Sequence, residues 1–93
     1  MDKTEAQGVL DQQFASFTRR SYAELVATID RPQAVQAKGP SGTTYNIEFN
    51  VFYDDSHQKQ DLRIMGSIDD GGGRSFMLPL TKSEIMKPTG ELV

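Results

Sequence analysis

Residues 62–80 read LRIMGSIDDGGGRSFMLPL, and they set the architecture that we predict for the whole chain. Apolar residues recur at every second position in two arms, which are Leu62, Ile64 and Ile68 in the first and Phe76, Leu78 and Leu80 in the second. A period of two residues is typical of a β-strand with one buried face. The two arms are therefore predicted to be neighbouring strands of one sheet.

The glycines between the arms predict the turn of this hairpin. If Ile68 and Phe76 share a face, Asp70 lies opposite Arg74, which leaves residues 71–73 as a three-residue loop. Such a loop needs a positive φ near its end, which glycine adopts at little cost. A phosphate-binding role is disfavoured, because phosphate loops normally lead into a helix and this one leads into a strand.

The strongest alternation lies upstream, in residues 44–53. Its apolar members are Tyr45, Ile47, Phe49, Val51 and Tyr53. They predict a long strand with one apolar face. Pairing this strand with the first arm sets Phe49 opposite Gly66, and the hairpin register sets Gly66 opposite Leu78. An aromatic ring lying over a glycine of the next strand is the expected result.

The N-terminal segment predicts a helix. Within residues 4 to about 20, the apolar positions at helical spacing are Val9, Leu10, Phe14 and Phe17. This pattern indicates an amphipathic helix that covers the apolar face of the sheet. Ser21 and Glu24 then have the spacing of a capping box, which marks a helix start. The chain therefore has either one helix bent near Ser21 or two short helices, ending before Pro32.

Two further segments complete the prediction. Residues 33–38 form a weak strand, followed by a turn at GPSG, residues 39–42. After Leu80, Thr81 and Glu84 again have capping-box spacing, so a helical turn could begin there. The alternative, which we favour, is a small hairpin that pairs residues 85–86 with residues 92–93 across KPTG.

The fold predicted for residues 1–93 is a single α+β domain. An N-terminal helix, bent or split near Ser21, packs on a four-stranded antiparallel meander sheet. Pro79 cannot donate a ladder hydrogen bond, which fits an edge position for the last strand. The layout resembles that of cystatin-like and related α+β domains, a resemblance of architecture that implies no activity.

Composition excludes several classes of function. The net charge is −3 and the sequence pI about 5.0. Nucleic acid and anionic membranes are therefore disfavoured as partners, because both attract basic patches. The chain has no cysteine, which excludes disulfides and thiolate chemistry. Polar residues follow Met1, and no long apolar run appears, so we expect a cytoplasmic protein.

Catalytic and metal sites are not indicated. His57 is the single histidine and lies in the polar segment 54–60, so it is best interpreted as a solvated loop residue. The acidic pairs Asp54-Asp55 and Asp69-Asp70 are predicted at opposite ends of the third strand, too far apart for one ion. Since no nucleophile, base and orienting group can be assembled, we expect a non-catalytic protein without metal or cofactor.

The second sheet face carries the main functional prediction. Phe52, Met65 and Met77 fall on it among polar residues, which makes it more apolar than a solvated face requires. The C-terminal tail could cover this patch. Otherwise a second copy of the protein is the economical partner, because a two-fold interface needs only one patch. The leading hypothesis is thus a small interaction domain that forms a homodimer through this face.

The alternative hypothesis is a small-molecule-binding domain. Its pocket would lie between helix and sheet, lined by Phe14, Phe17, Tyr45 and Phe49. Tyr22 or Glu48 would supply the polar group that orients the ligand. Side chains filling that space would count against this hypothesis.

Residues 45–53, 64–74 and 76–90 resemble a group of small bacterial proteins. In that group a strand ends in Ile-Asp-Asp-Gly-Gly, another begins shortly after an Arg, and Pro-Leu-Thr closes it, as in IDDGG at 68–72 and PLT at 79–81. The chain departs from the group at Gly73, where an aromatic residue is expected. The resemblance implies a bacterial origin and supplies no activity.

Overall fold

The computed structural model describes residues 1–72 and 79–93 of the chain. Its helices are α1 (Lys3–Phe17) and α2 (Tyr22–Val26), and its strands are β1 (Gln33–Lys38), β2 (Thr44–Tyr53), β3 (Leu62–Asp69) and β4 (Leu80–Met86). The strands form one antiparallel sheet in the order β1-β2-β3-β4. The predicted α+β fold with a four-stranded meander is therefore confirmed.

A side-chain cap marks the start of each of the two helices. Asp2 caps α1 by accepting a hydrogen bond from the backbone N–H of Glu5 at 3.0 Å. At the start of α2, the Ser21 hydroxyl accepts from Glu24 N at 3.1 Å, and the Glu24 carboxylate accepts from Ser21 N at 3.1 Å. This reciprocal pair stabilises a new helix start. Of the two alternatives for the N-terminal segment, the one with two helices is confirmed.

The register between β2 and β3 follows the apolar alternation. Phe49 lies opposite Gly66, and the flanking pairs on the same face are Ile47 with Ile68 and Val51 with Ile64. A slip of one residue would turn all of these side chains to the other face, so burial of one face fixes the register. This part of the prediction is confirmed.

The register between β3 and β4 differs from the prediction. Ile68 lies opposite Leu80, and Gly66 lies opposite Lys82, not Leu78. The predicted register between these strands is therefore wrong, whereas the predicted loop closed by Asp70 and Arg74 depends on residues outside the described part of the chain. Residues 73–78, which include Arg74, Phe76 and Leu78, lie outside the described part of the chain.

The side chain of Lys82 explains why β4 tolerates a polar residue on the buried face. Its Nζ lies 3.1 Å from Asp11 Oδ1 on α1 and 5.3 Å from the centroid of the Phe14 ring. The lysine stem can therefore cover apolar surface while its ammonium stays hydrated at the flank of the helix. The predicted register assumed apolar residues on the buried face, so it did not place a lysine there in an edge strand.

Two chain reversals have the same type of three-residue loop. In each, a residue pairs with the residue four positions on, Gly39 N with Thr43 O at 2.9 Å and Lys87 N with Glu91 O at 2.8 Å. The third loop residue is glycine with φ near 89°, Gly42 and Gly90 respectively. A type I turn followed by a residue of positive φ has this geometry.

The second of these loops settles the C-terminal alternatives. Met86 and Leu92 form a β-bridge, and Val93 N donates to Ile85 O at 2.9 Å. The small hairpin is therefore confirmed, and a helical turn from Thr81 to Glu84 is wrong because both residues belong to β4.

The core lies between the helices and one face of the sheet, which we call the inner face. Its buried side chains are Ala6, Val9, Leu10, Phe14, Phe17, Leu25, Tyr45, Ile47, Phe49, Val51, Leu62, Ile64, Ile68 and Met86. α1 packs mainly on β3 and β4, and α2 on β2. β1 is left at the margin of this cover, and Val35 on its inner face is 36% exposed.

Candidate interaction surface

The opposite side of the sheet, which we call the outer face, has no described helix on it. Its residues alternate with the core residues, so the residues of β2 that face outward are Thr44, Asn46, Glu48, Asn50 and Phe52. By the observed pairing, β3 adds Arg63, Met65, Ser67 and Asp69, and β4 adds Thr81, Ser83 and Ile85. This face is therefore fixed by the same registers that build the core.

Apolar side chains gather at one end of the outer face. Phe52 is 39% exposed and Met65 is 37% exposed, and both line one shallow depression of about 330 Å³. Ile85, half-buried, lies in the same cross-strand row as Phe52, with Arg63 between them. We call Phe52, Met65 and Ile85 the apolar end.

Arg63 crosses the apolar end without an unpaired charge. Its Nε donates to Asp54 Oδ1 at 2.9 Å, and one terminal nitrogen donates to Ser83 Oγ at 3.4 Å. A guanidinium whose charge is already paired costs less to remove from water than a free one. The arginine therefore does not prevent this end of the face from being covered.

Amide groups form a hydrogen-bonded chain across the other end of the outer face, the polar end. Gln36 Nε2 donates to Asn46 Oδ1 at 3.0 Å, and Asn46 Nδ2 donates to Asp69 Oδ1 at 3.3 Å. The same carboxylate accepts from Gly71 N at 2.8 Å, which turns the chain away from β3. These side chains satisfy one another along the edge of a recess of about 410 Å³.

The residues of the predicted interface are placed in part. Phe52 and Met65 lie together on the outer face, and Met77 lies outside the described residues. The tail does not bury Met65, since that side chain is 37% exposed with the tail hairpin in place. Ile85 was missed, because the predicted fourth strand ended at Leu80. The predicted tail hairpin was a signal for Ile85, because it already placed this residue in a strand.

The residues of the predicted ligand pocket are brought together only in part, because its four aromatic residues all belong to the buried core and Glu48 does not. Tyr45 and Phe49 belong to the core, Glu48 lies on the outer face, and the Tyr22 hydroxyl donates to the backbone oxygen of Gln60. Ring contacts fill the space between helix and sheet. Phe49 stacks on Phe17 with centroids 4.3 Å apart, and it meets Phe14 edge-on at 5.9 Å.

A cluster around Glu5, which no sequence pattern indicated, ties α1 to the β1–β2 turn. Glu5 Oε1 accepts from the hydroxyls of Tyr45 and Ser41, each at 2.7 Å, and Oε2 accepts from Ser41 N at 3.0 Å. The bond from the Ser41 hydroxyl, followed by that from Tyr45, lowers the pKa of Glu5. The bond to Glu5, assisted by desolvation, raises the pKa of Tyr45 to about 12. Nothing local marks this cluster, because its members are about forty positions apart.

Beside this cluster, a recess of about 710 Å³ opens between α1 and the β1–β2 turn. The residues that line it are Asp2, Thr4, Glu5, Gly8, Val9, Gln12, Lys38, Gly39 and Pro40. None of the side chains predicted to line a ligand pocket belongs to this set. It lies where the first turns of α1 meet the end of β1 and the turn that follows it.

Comparisons with protein-family models, with curated proteins and with solved structures found no match to this chain. The resemblance to small bacterial proteins therefore stays a prediction.

His57 lies in the exposed β2–β3 loop, where its backbone N–H donates to Asp55 Oδ1 at 2.8 Å. Within residues 1–72 and 79–93, no group of three or more His, Cys, Asp or Glu side chains is placed so that it could hold a metal ion. Neither α1 nor α2, the helices of this described part, is long and apolar enough to cross a membrane.

Proposed function

We propose that this protein is a non-catalytic interaction domain that self-associates through the outer face of its sheet. The observation that carries the proposal is the exposure of Phe52 and Met65, 39% and 37%, side by side on that face. Removing such side chains from water is favourable, by about 25 cal/mol for each Å² of apolar surface. A partner that covers the apolar end gains this free energy.

A second copy suits this surface for reasons of symmetry. A two-fold contact uses the same patch on both chains, so an apolar end that meets itself needs no separately evolved partner surface. The polar neighbours support such a contact, because Glu48 already accepts a hydrogen bond from Asn50 at 3.0 Å and Arg63 is paired with Asp54. These bonds lower the cost of covering Asn50 and Arg63, because their donors already have partners.

Sedimentation velocity over a wide concentration range tests the proposal. The wild-type chain of 10.3 kDa is expected to form dimers or larger species as its concentration rises. Met65→Glu places a carboxylate in the apolar end and is expected to weaken self-association tenfold or more. Thr44→Glu is the matched control, because Thr44 lies exposed on the same face at the far end of β2.

Two results would overturn the proposal. A wild-type chain that sediments as a monomer at every concentration would exclude self-association. Equal effects of Met65→Glu and Thr44→Glu would show that the added charge matters and its position at the apolar end does not. The small-molecule alternative is disfavoured, because the rings of Phe14, Phe17 and Phe49 occupy the space it requires.

A further inference from the structure

The outward edge of β1 presents hydrogen-bonding groups in a regular pattern. Gly39 N donates to Thr43 O on the β2 side at 2.9 Å. Because alternate residues of an antiparallel strand bond to opposite neighbours, Gln33, Val35 and Ala37 share this orientation toward β2. The N–H and C=O groups of Ala34, Gln36 and Lys38 therefore point away from the sheet.

The two edges of the sheet differ in how they are protected. Edge strands commonly avoid association by carrying charges or by being covered. Lys82 and Glu84 lie within β4, and the tail pairs with its end through the bond from Val93 N to Ile85 O at 2.9 Å. β1 reads QAVQAK, with its single charged residue at its last position. Of the two edges, β1 is the one whose described residues carry little protection.

We propose that β1 pairs antiparallel with β1 of a second copy, with Gln36 opposite Gln36, so that the two sheets become continuous. The proposal rests on the proposed self-association and names a second surface for it. In this register Ala34 lies opposite Lys38 of the second copy, and every outward N–H and C=O of Ala34, Gln36 and Lys38 finds a partner. Centring the pairing on Val35 instead would set Lys38 opposite Pro32, which has no N–H to donate.

The faces of the sheet agree with this pairing. Opposite residues in an antiparallel pair share a face, so a two-fold axis perpendicular to the sheet keeps the helices of both copies on the inner side. Val35, which is 36% exposed on that side, then lies opposite Ala37 of the second copy. The pairing thus covers the part of the inner face that α1 and α2 reach least.

Edge pairing also enlarges the outer face. Four strands about 4.8 Å apart and about 24 Å long give a footprint of roughly 450 Å², and joining two sheets through β1 doubles it. A larger continuous face offers the proposed outer-face contact more surface to cover, so edge pairing would strengthen that contact without being required for it.

Backbone amide exchange at low and high protein concentration tests the edge pairing directly. The amides of Ala34, Gln36 and Lys38 are expected to exchange at least tenfold more slowly at high concentration. Those of Val35 and Ala37 are expected to stay slow at both concentrations, because they bond within the chain. Equal exchange of Ala34, Gln36 and Lys38 at both concentrations would overturn the pairing.

Charge substitutions at Ala34 test the register. Ala34→Lys would face Lys38 of the second copy and is expected to weaken association at least fivefold, whereas Ala34→Glu would face the same ammonium and strengthen it. Within one chain Ala34 lies opposite Glu48, so Ala34→Lys is expected to raise the melting temperature measured at low concentration and Ala34→Glu to lower it. Equal effects of the two variants on association would exclude the register.

Removing one outward N–H tests the backbone contribution. Gln36→Pro deletes a donor that takes no part in the bonds to β2, and it is expected to weaken association at least tenfold. Gln36→Ala is its control, because it removes the same side-chain bond to Asn46 and keeps the N–H. If Gln36→Pro prevents folding, the Ala34 pair still decides the proposal.

The two proposals fail in different ways. If the amides of Ala34, Gln36 and Lys38 exchange equally fast at both concentrations while Met65→Glu still lowers the sedimenting mass of the protein, the outer-face contact stands and the edge pairing is wrong. If those amides exchange more slowly at high protein concentration while Met65→Glu leaves the sedimenting mass unchanged, the edge pairing stands and the outer-face contact is wrong.

Discussion

Phe49 lies directly opposite Gly66 across β2 and β3, and its ring occupies the space that a side chain at residue 66 would need. A Cβ at this position would lie 3.1 Å from Phe49 Cε1 and from Phe14 Cδ2, and 3.2 Å from Leu10 Cδ1. The absent side chain therefore allows α1 and β2 to meet over β3. The stacking of Phe17 on Phe49 depends on the same ring position.

Gly66→Ala is expected to destabilise the fold. Three buried side chains would have to give way, and overpacking of a core typically costs about 1–3 kcal/mol. The free energy of unfolding from urea titration measures the effect. Gly8→Ala is the matched control, because a Cβ there meets nothing within 4 Å. It lies inside α1, so it should stabilise the protein by about 0.5–1 kcal/mol. Two changes of the same sign would contradict this packing.

The Glu5 cluster is expected to make stability depend on pH at both ends of the scale. The folded-state pKa of Glu5 is lowered from 4.5, so its contribution is full above pH 4.5 and is lost as pH falls through the lower folded value. The folded-state pKa of Tyr45 is raised from 10.0 to about 12, so its contribution is full below pH 10 and is lost as pH rises toward 12. The free energy of unfolding measured across pH should fall at both limits.

Tyrosinate absorbance assigns the alkaline change. In the wild-type protein one tyrosine should ionise near pH 12, and Tyr45→Phe should remove that late step. Glu5→Gln removes the charge that the Tyr45 hydroxyl faces, so the pKa of Tyr45 should move back toward 10. An unchanged Tyr45 titration in Glu5→Gln would contradict the assignment of Glu5 as the main cause.

Substitutions of Lys82 separate the packing of its stem from its charge. Lys82→Met keeps most of the stem and is expected to change stability by less than about 1 kcal/mol, because partly exposed ion pairs contribute little. Lys82→Ala removes the stem over the Phe14 ring and should cost about 1 kcal/mol more than Lys82→Met. Thermal or urea unfolding measures both. Asp11→Asn is the control for the charge alone, since it removes the ion pair and leaves the stem.

The cap of α2 is expected to matter more than the length of the helix suggests. Ser21→Ala removes the acceptor for Glu24 N and should cost about 1 kcal/mol. Ser16→Ala is the control, because Ser16 lies exposed within α1, where alanine favours the helix. Unfolding free energies that fall equally in both variants would rule out a special role for the cap.

The sequence predicts most of the fold because its strongest signals are local. Alternation in β2 and β3, together with Gly66, determined their register, since burying one face allows a single pairing. The spacing of Ser21 and Glu24 marked the helix break. The outer-face positions of Phe52 and Met65 also followed from alternation, so the apolar end was predicted except for Ile85.

What only the tertiary structure decided depends on residues far apart in the chain. In the observed register of β4, Lys82 reaches Asp11, 71 positions away, and no local pattern contains that contact. The Glu5 cluster likewise joins residues about forty positions apart. Periodicity and turn residues fix which face a strand buries. Polar residues at its margin are placed by charges and hydroxyls that only the packed helices bring within reach.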